Sequence, residues 1–147
     1  MEAIVEKLIN EVLDDGLARG RILVVDDDED VRYVMRTYLE HLGFAVDEAP
    51  DGYWALDLIR RRPYQMLFLD YRMPRLDGVE TLAEMRRQMP ELKIVFITAL
   101  TDNETFARIF EGELPVDGFL NKPLLLSHVQ RCLNVVLARG GKYLHAY

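Results

Sequence analysis

The sequence predicts an α/β fold: a five-stranded parallel sheet, helices between successive strands, and an extra amphipathic helix at the N-terminus. Three observations carry this. Short apolar runs alternate with longer stretches of helical period from Arg21 onward. The first, third and fourth runs have unbroken apolar cores (ILVV, MLFL, IVFI), as strands covered on both faces by helices require, so these belong in the middle of the sheet. With 147 residues, 50% of them hydrophobic and 29% charged, the chain is long enough for one core and too short for two.

The elements follow in order. Ile4, Val5, Leu8, Ile9, Val12 and Leu13 form an apolar stripe opposed by Glu2, Glu6, Lys7, Glu11, Asp14 and Asp15. That helix needs a partner surface: the domain itself, a second copy of the chain, or a neighbouring domain. A strand at Ile22–Asp26 precedes a helix with Val31, Val34, Met35, Tyr38, Leu39 and Leu42 at three- and four-residue spacing, stopped by Gly43. The second strand is Phe44–Glu48. Asp51 can cap the helix bearing Ala55, Leu56 and Ile59, which ends before Pro63. The basic run Arg60, Arg61 and Arg62 suits the negative end of its dipole, and Trp54 is expected to be a half-buried packing residue on it. After the strand Gln65–Asp70, Asp77 and Gly78 open a helix with Val79, Leu82 and Met85 that stops near Pro90. The fourth strand is Lys93–Thr98. A short helix around Thr105–Phe110 is limited by Gly112 and Pro115, and the fifth strand is Gly118–Asn121. The last helix follows Pro123 with Leu126, Val129, Leu133 and Val136, and carries Cys132 as a small core residue until Gly140 and Gly141 break it. The expected division is an N-terminal helix at 1–20, one domain at 21–139 and a C-terminal tail at 140–147.

Charge and composition exclude several functions. Lys and Arg number 18 against 25 Asp and Glu, a net charge of −7, which argues against direct nucleic-acid or anionic-membrane binding. No stretch approaches the roughly 20 apolar residues of a membrane span, and the acidic N-terminus is unlike a signal peptide, so a cytoplasmic protein without membrane insertion is expected. A single cysteine forbids an internal disulfide, and His41, His128 and His145 are too scattered for a zinc cluster.

The residues at the strand ends carry the chemistry. Ligands of an open parallel sheet bind beyond the carboxyl ends of its strands. There the first strand ends in Asp26 and Asp27, the third in Asp70 and the fourth in Thr98, and Lys122 follows the fifth. Three convergent carboxylates repel and demand cations, and one Mg2+ together with Lys122 balances their charge. A site so neutralised accepts a phosphoryl group, and the reaction it suggests is attack by a carboxylate on phosphorus. Asp26 and Asp27 are neighbours and cannot point the same way in a continuing strand, so a turn after Asp26 must swing Asp27 toward the metal. Asp28, Glu29 and Asp30 are left to cap the following helix.

Together these pieces resemble the receiver domain of two-component response regulators, over about Arg21 to Arg139. The matching segments are ILVVDD at Ile22–Asp27, LFLDYRMPRLDG at Leu67–Gly78, IVFITA at Ile94–Ala99 and GFLNKP at Gly118–Pro123. The resemblance implies a flavodoxin-like, doubly wound sheet of order 2-1-3-4-5. Asp70 resembles the phosphoacceptor, Asp27 a direct Mg2+ ligand, Asp26 an acid holding the metal largely through water, and the Arg72 carbonyl the third protein ligand. Thr98 resembles the hydroxyl that bonds the phosphoryl oxygen, Lys122 its cationic partner, and Phe119 the aromatic switch. Lys122-Pro123 matches a bond usually cis in that family. Phosphate would come from a sensor histidine kinase or phosphotransfer protein, and a downstream protein would read the face of the fourth helix, fifth strand and fifth helix. Such a domain is no separate enzyme, though it promotes its own phosphorylation and dephosphorylation. Arg72 and Leu100 flank the expected approach of the hydrolytic water.

Two other readings compete. Asp26-x-Asp28 imitates the opening motif of haloacid dehalogenase-type phosphatases, but Asp30 stands where that motif wants Thr or Val, and no cap domain is inserted. A scaffold that has lost phosphotransfer is the other, against which stand the intact acid, hydroxyl and lysine positions. The N-terminal helix keeps a homodimer in view under either reading.

Overall fold

The computed structural model describes residues 2–4, 19–73, 78–99, 107–108 and 111–144. The strands are β1 (Arg21–Val25), β2 (Ala45–Ala49), β3 (Met66–Asp70), β4 (Lys93–Thr98), β5 (Gly118–Asn121) and β6 (Tyr143–Leu144). Described helices are α1 (Glu29–His41), α2 (Gly52–Arg61), α3 (Gly78–Gln88) and α4 (Leu126–Leu133), the last continued by a π-helical turn at Asn134–Ala138. Ala107 and Arg108 are helical, and the rest of the expected 105–110 helix lies outside the described residues, as does the expected N-terminal helix beyond residues 2–4.

One sheet contains all six strands, ordered β2-β1-β3-β4-β5-β6, with every pair parallel. The order 2-1-3-4-5 is the one expected, and β1, β3 and β4 sit inside the sheet as their unbroken apolar runs require, joined there by β5, whose Phe119 and Leu120 are buried on opposite faces. One apolar layer joins the sheet to α2 and α3 through Ala55, Leu56, Ile59, Leu82 and Met85. The other joins it to α1, α4 and the π-helical turn through Met35, Leu39, Val129, Cys132, Leu133 and Val136.

Local chemistry sets the boundaries. Asp28 caps α1 by accepting from the Asp30 N–H at 2.9 Å, and Asp51 caps α2 by accepting from the Trp54 N–H at 2.8 Å. Gly43 ends α1 in the left-handed region at φ 97°, open to glycine at little cost. At the opposite edge from the strand ends, Arg86 ties α3 to β4 and β5. It donates to the carbonyls of Leu92 and Pro115 and pairs with Asp117 at 2.9 Å, while Asp117 also accepts from the Ile94 N–H.

Three expectations need correction. Trp54 is 59% exposed, because α2 turns its Ala55–Leu56–Ile59 face to the sheet and Trp54 falls outside that arc. Val34 on α1 and Leu126 on α4 are likewise exposed, at 48% and 40%. The sheet has six strands where five were expected, since residues 143–144 return to pair with β5 after Gly140, at φ 69°, turns the chain. Cys132 is buried as expected, and burial pushes its thiol up to about 12.

Candidate functional site: an acidic pocket at the strand ends

β1, β3, β4 and β5 all end at one edge of the sheet, and the predicted residues meet there. Asp26 follows β1 and is fully buried, Asp70 closes β3 at 4% exposure, and Thr98 closes β4 at 3%. Carboxylate oxygens of Asp26, Asp27 and Asp70 lie within 4.8 Å of one another. The Lys122 ammonium, just beyond β5, stands 2.9 Å from Asp26 Oδ2 and 3.5 Å from Asp70 Oδ2. The Lys122-Pro123 peptide is cis, as the resemblance implied.

Hydrogen bonds explain how adjacent acids reach one pocket. The Asp28 N–H donates to Asp26 Oδ1 at 2.9 Å, closing a turn right after β1 that carries Asp27 to the exposed mouth. Arg32, one turn into α1, holds the same turn by donating to the Asp26 carbonyl at 2.7 Å while its Nε faces Glu48 at 3.3 Å. The Arg72 N–H donates to Asp70 Oδ1 at 3.3 Å, and the Arg72 side chain points to solvent. Thr98 and Asn121 are register partners, which sets Thr98 beside the strand bearing Lys122, and Phe119, two residues before Asn121, is fully buried in the layer beneath. Leu100 lies outside the described residues.

Electrostatics follow from the crowding. Burial, then the Asp26 carboxylate, push the Asp70 carboxyl up to about 7, against the pull of Lys122 and the Arg72 amide. Burial draws the Lys122 ammonium down, but Asp26 and Asp70 outweigh it and hold it above its ordinary value. Three hard carboxylates with an open mouth and one ammonium are a donor set suited to a small divalent cation, which would relieve the strain on Asp70.

Sequence reasoning missed two positioning residues. Arg32 gives no signal, since it reaches back six residues to a carbonyl. Gly78 was read as a helix opener, but a Cβ there would stand 2.7 Å from the Asp70 carbonyl oxygen. The Asp-Gly dipeptide was the only hint of so close an approach.

Comparison with known proteins agrees with this geometry. Residues 22–134 match the response regulator receiver domain. The response regulator MprA of Mycobacterium sp. (strain KMS) is 37% identical over 119 residues, which are 81% of this chain and 51% of MprA, so the chain spans about half the length of such relatives. The solved receiver domain of the Francisella response regulator 1452 superposes with a TM-score of 0.74 at 29% identity, covering 83% of this chain and 99% of that one. Response regulator protein TrrA of Thermotoga maritima, solved in complex with Mg2+ and BeF, gives 0.70 at 26% identity, covering 80% and 98%. A parallel sheet of this order, an acidic pocket at its strand ends and a match over most of the chain lead to one conclusion: the chain belongs to the receiver domain family of two-component response regulators.

Proposed function

We propose that Asp70 accepts a phosphoryl group from the phosphohistidine of a sensor histidine kinase or phosphotransfer protein, or from a small donor such as acetyl phosphate. The observation that carries this is the Asp70 carboxylate itself, buried at the edge where the strands end and sharing the Lys122 ammonium with Asp26. An Asp70 oxygen forms a bond to phosphorus as the bond from phosphorus to the donor's nitrogen or oxygen breaks, and the leaving group keeps the electron pair. Asp26, Asp27, Asp70 and the Arg72 carbonyl are the groups that would hold Mg2+, which when bound supplies positive charge against the phosphoryl oxygens. The Mg2+ of the TrrA complex supports that choice of ion. Lys122 stays beside the product and offsets the roughly one extra negative charge that Asp70 then carries.

Switching follows from the product's new acceptors. The Thr98 hydroxyl donates to a phosphoryl oxygen, which favours the buried seat that the Phe119 ring holds here over an outward one, and so sets the shape of the β5 and α4 face that a downstream protein reads. Return to the starting state is hydrolysis: water adds to phosphorus and the Asp70 oxygen departs, with the exposed Arg72 side chain flanking its approach. We read the domain as a switch rather than a separate enzyme and place it in the cytoplasm, where a histidine kinase would feed it; no described helix is long and apolar enough to cross a membrane.

Incubation with acetyl phosphate and Mg2+, followed by peptide mapping, is expected to place the phosphate on Asp70 and to give none on Asp70→Asn. Phosphate on Asp26 would instead favour the dehalogenase-type phosphatase.

We read residues 21–139 as the switch, 140–147 as its tail and 1–20 as an association element, its apolar stripe mediating a homodimer. Removing residues 1–18 is expected to halve the mass measured by light scattering. An unchanged mass would mean that the stripe packs on its own domain. Within the matched residues no nucleic-acid contact is assigned; ycf27 of Porphyridium aerugineum, 32% identical, is named a probable transcriptional regulator, and about half its length lies outside the match.

A further inference from the structure

The sixth strand lies against the element that carries the switch. β6 pairs with β5 in parallel, Gly118 with Tyr143 and Phe119 with Leu144, and the Tyr143 N–H donates to the Asp117 carbonyl at 2.9 Å. Register partners in a sheet stand side by side on one face. Phe96 is the partner of Phe119 on the other side, so Phe96, Phe119 and Leu144 form one row on the face of α2 and α3. Phe119 is fully buried, and Leu144 packs on the same apolar layer.

The approach is built into the sequence on both strands. A Cβ on Gly118 would lie 3.2 Å from the Tyr143 carbonyl oxygen, 3.2 Å from Cys132 Sγ and 3.0 Å from Val95 Cγ2, so a bare backbone is what lets β6 come this near. Gly140 at φ 69°, and the Gly141 N–H bonded to the Val135 carbonyl at 3.0 Å, bring the chain back from the π-helical turn to the sheet edge. Tyr143 packs on the layer of α1 and α4 while Leu144 packs on the other, so the two residues grip the strand edge from both faces.

We propose that Leu144 is the positioning residue for Phe119: it closes the outer flank of the ring's inward seat, so that pairing of β6 and loading of Asp70 stabilise each other. This rests on the reading of Asp70 as phosphoacceptor and Phe119 as switch given above. A ring seated between Phe96 and Leu144 loses one wall when Leu144 is shortened, and whatever favours the inward ring then costs more. Linkage makes the effect reciprocal, so the loaded protein holds its tail strand more tightly than the free one.

The test uses the full chain with Mg2+ and beryllium fluoride as the phosphoryl mimic, followed by backbone NMR. Leu144→Ala is expected to weaken beryllium fluoride binding about fivefold or more, the low end of typical coupling. Leu144→Ile is expected to restore it. In the wild type, beryllium fluoride is expected to slow hydrogen exchange at the Tyr143 amide. In the absence of any ion, Leu144→Ala is expected to speed exchange at the amides of Phe119 and Tyr143. A residue that merely supports the fold would lower the urea midpoint and leave beryllium fluoride affinity untouched, which overturns the proposal. Equal binding by wild type and Leu144→Ala removes the coupling alone; no binding by the wild type removes the phosphoacceptor reading and the coupling with it.

Discussion

Asp70→Asn is expected to make the protein more stable at neutral pH, by about 2 kcal/mol, and to flatten the dependence of stability on pH. Burial and the Asp26 carboxylate push the Asp70 carboxyl from its ordinary 3.8 up to about 7. Between those values the folded protein holds a proton that the unfolded chain has released. Stability from this group is therefore greatest below about pH 4, falls as pH rises, and is fully lost above about 7. Asparagine is neutral throughout and removes that slope, while Lys122 keeps its 2.9 Å contact with Asp26. Urea midpoints at pH 5 and pH 8 check this: the wild type should weaken across the interval from this source and the variant should not. Added Mg2+ should recover wild-type stability at pH 8 and do less for the variant. Parallel slopes for the two proteins would contradict the crowding of charge on Asp70.

Gly78→Ala should be the costliest single methyl in the site. Its Cβ would stand 2.7 Å from the Asp70 carbonyl oxygen and from Tyr71 Cα, and 2.8 Å from the Tyr71 carbonyl oxygen. All three are backbone atoms, so no rotamer change makes room. The Gly78 N–H also donates to the Tyr71 carbonyl at 3.0 Å, which ties the start of α3 to the end of β3. The expected loss is about 3 kcal/mol by urea unfolding, with slower phosphate uptake from acetyl phosphate because the Asp70 backbone must shift. Gly112 is the built-in contrast. Nothing lies within 4 Å of a Cβ there and only its φ of 81° resists substitution, so Gly112→Ala should cost about 1 kcal/mol and leave phosphate uptake unchanged.

Much of this was legible because strand ends and helix starts are chemically marked. Unbroken apolar runs located β1, β3 and β4 within a residue, and the acids and the lysine that follow the strands gave the pocket its members. Asp28 and Asp51 were readable as caps because a side-chain oxygen there satisfies an N–H that the helix leaves free. The missing parts were those set by tertiary proximity. β6 has only two residues and follows two glycines, so no run announces it. Trp54 and Val34 belong to apolar patterns wider than the arc each helix presents to the sheet, and only packing decides which members are left in water. Arg86 looks like an ordinary helix-surface arginine in the sequence. Its role joining α3 to the starts of β4 and β5 exists only once those elements are neighbours.

The lone thiol, Cys132, has a practical consequence. It is wholly enclosed, its thiol is held protonated to about 12, and α4 must leave the sheet before any reagent can reach it. Alkylation of the native protein therefore counts the moments at which that flank opens, which turns a residue with no part in phosphotransfer into a clock for the breathing of the domain.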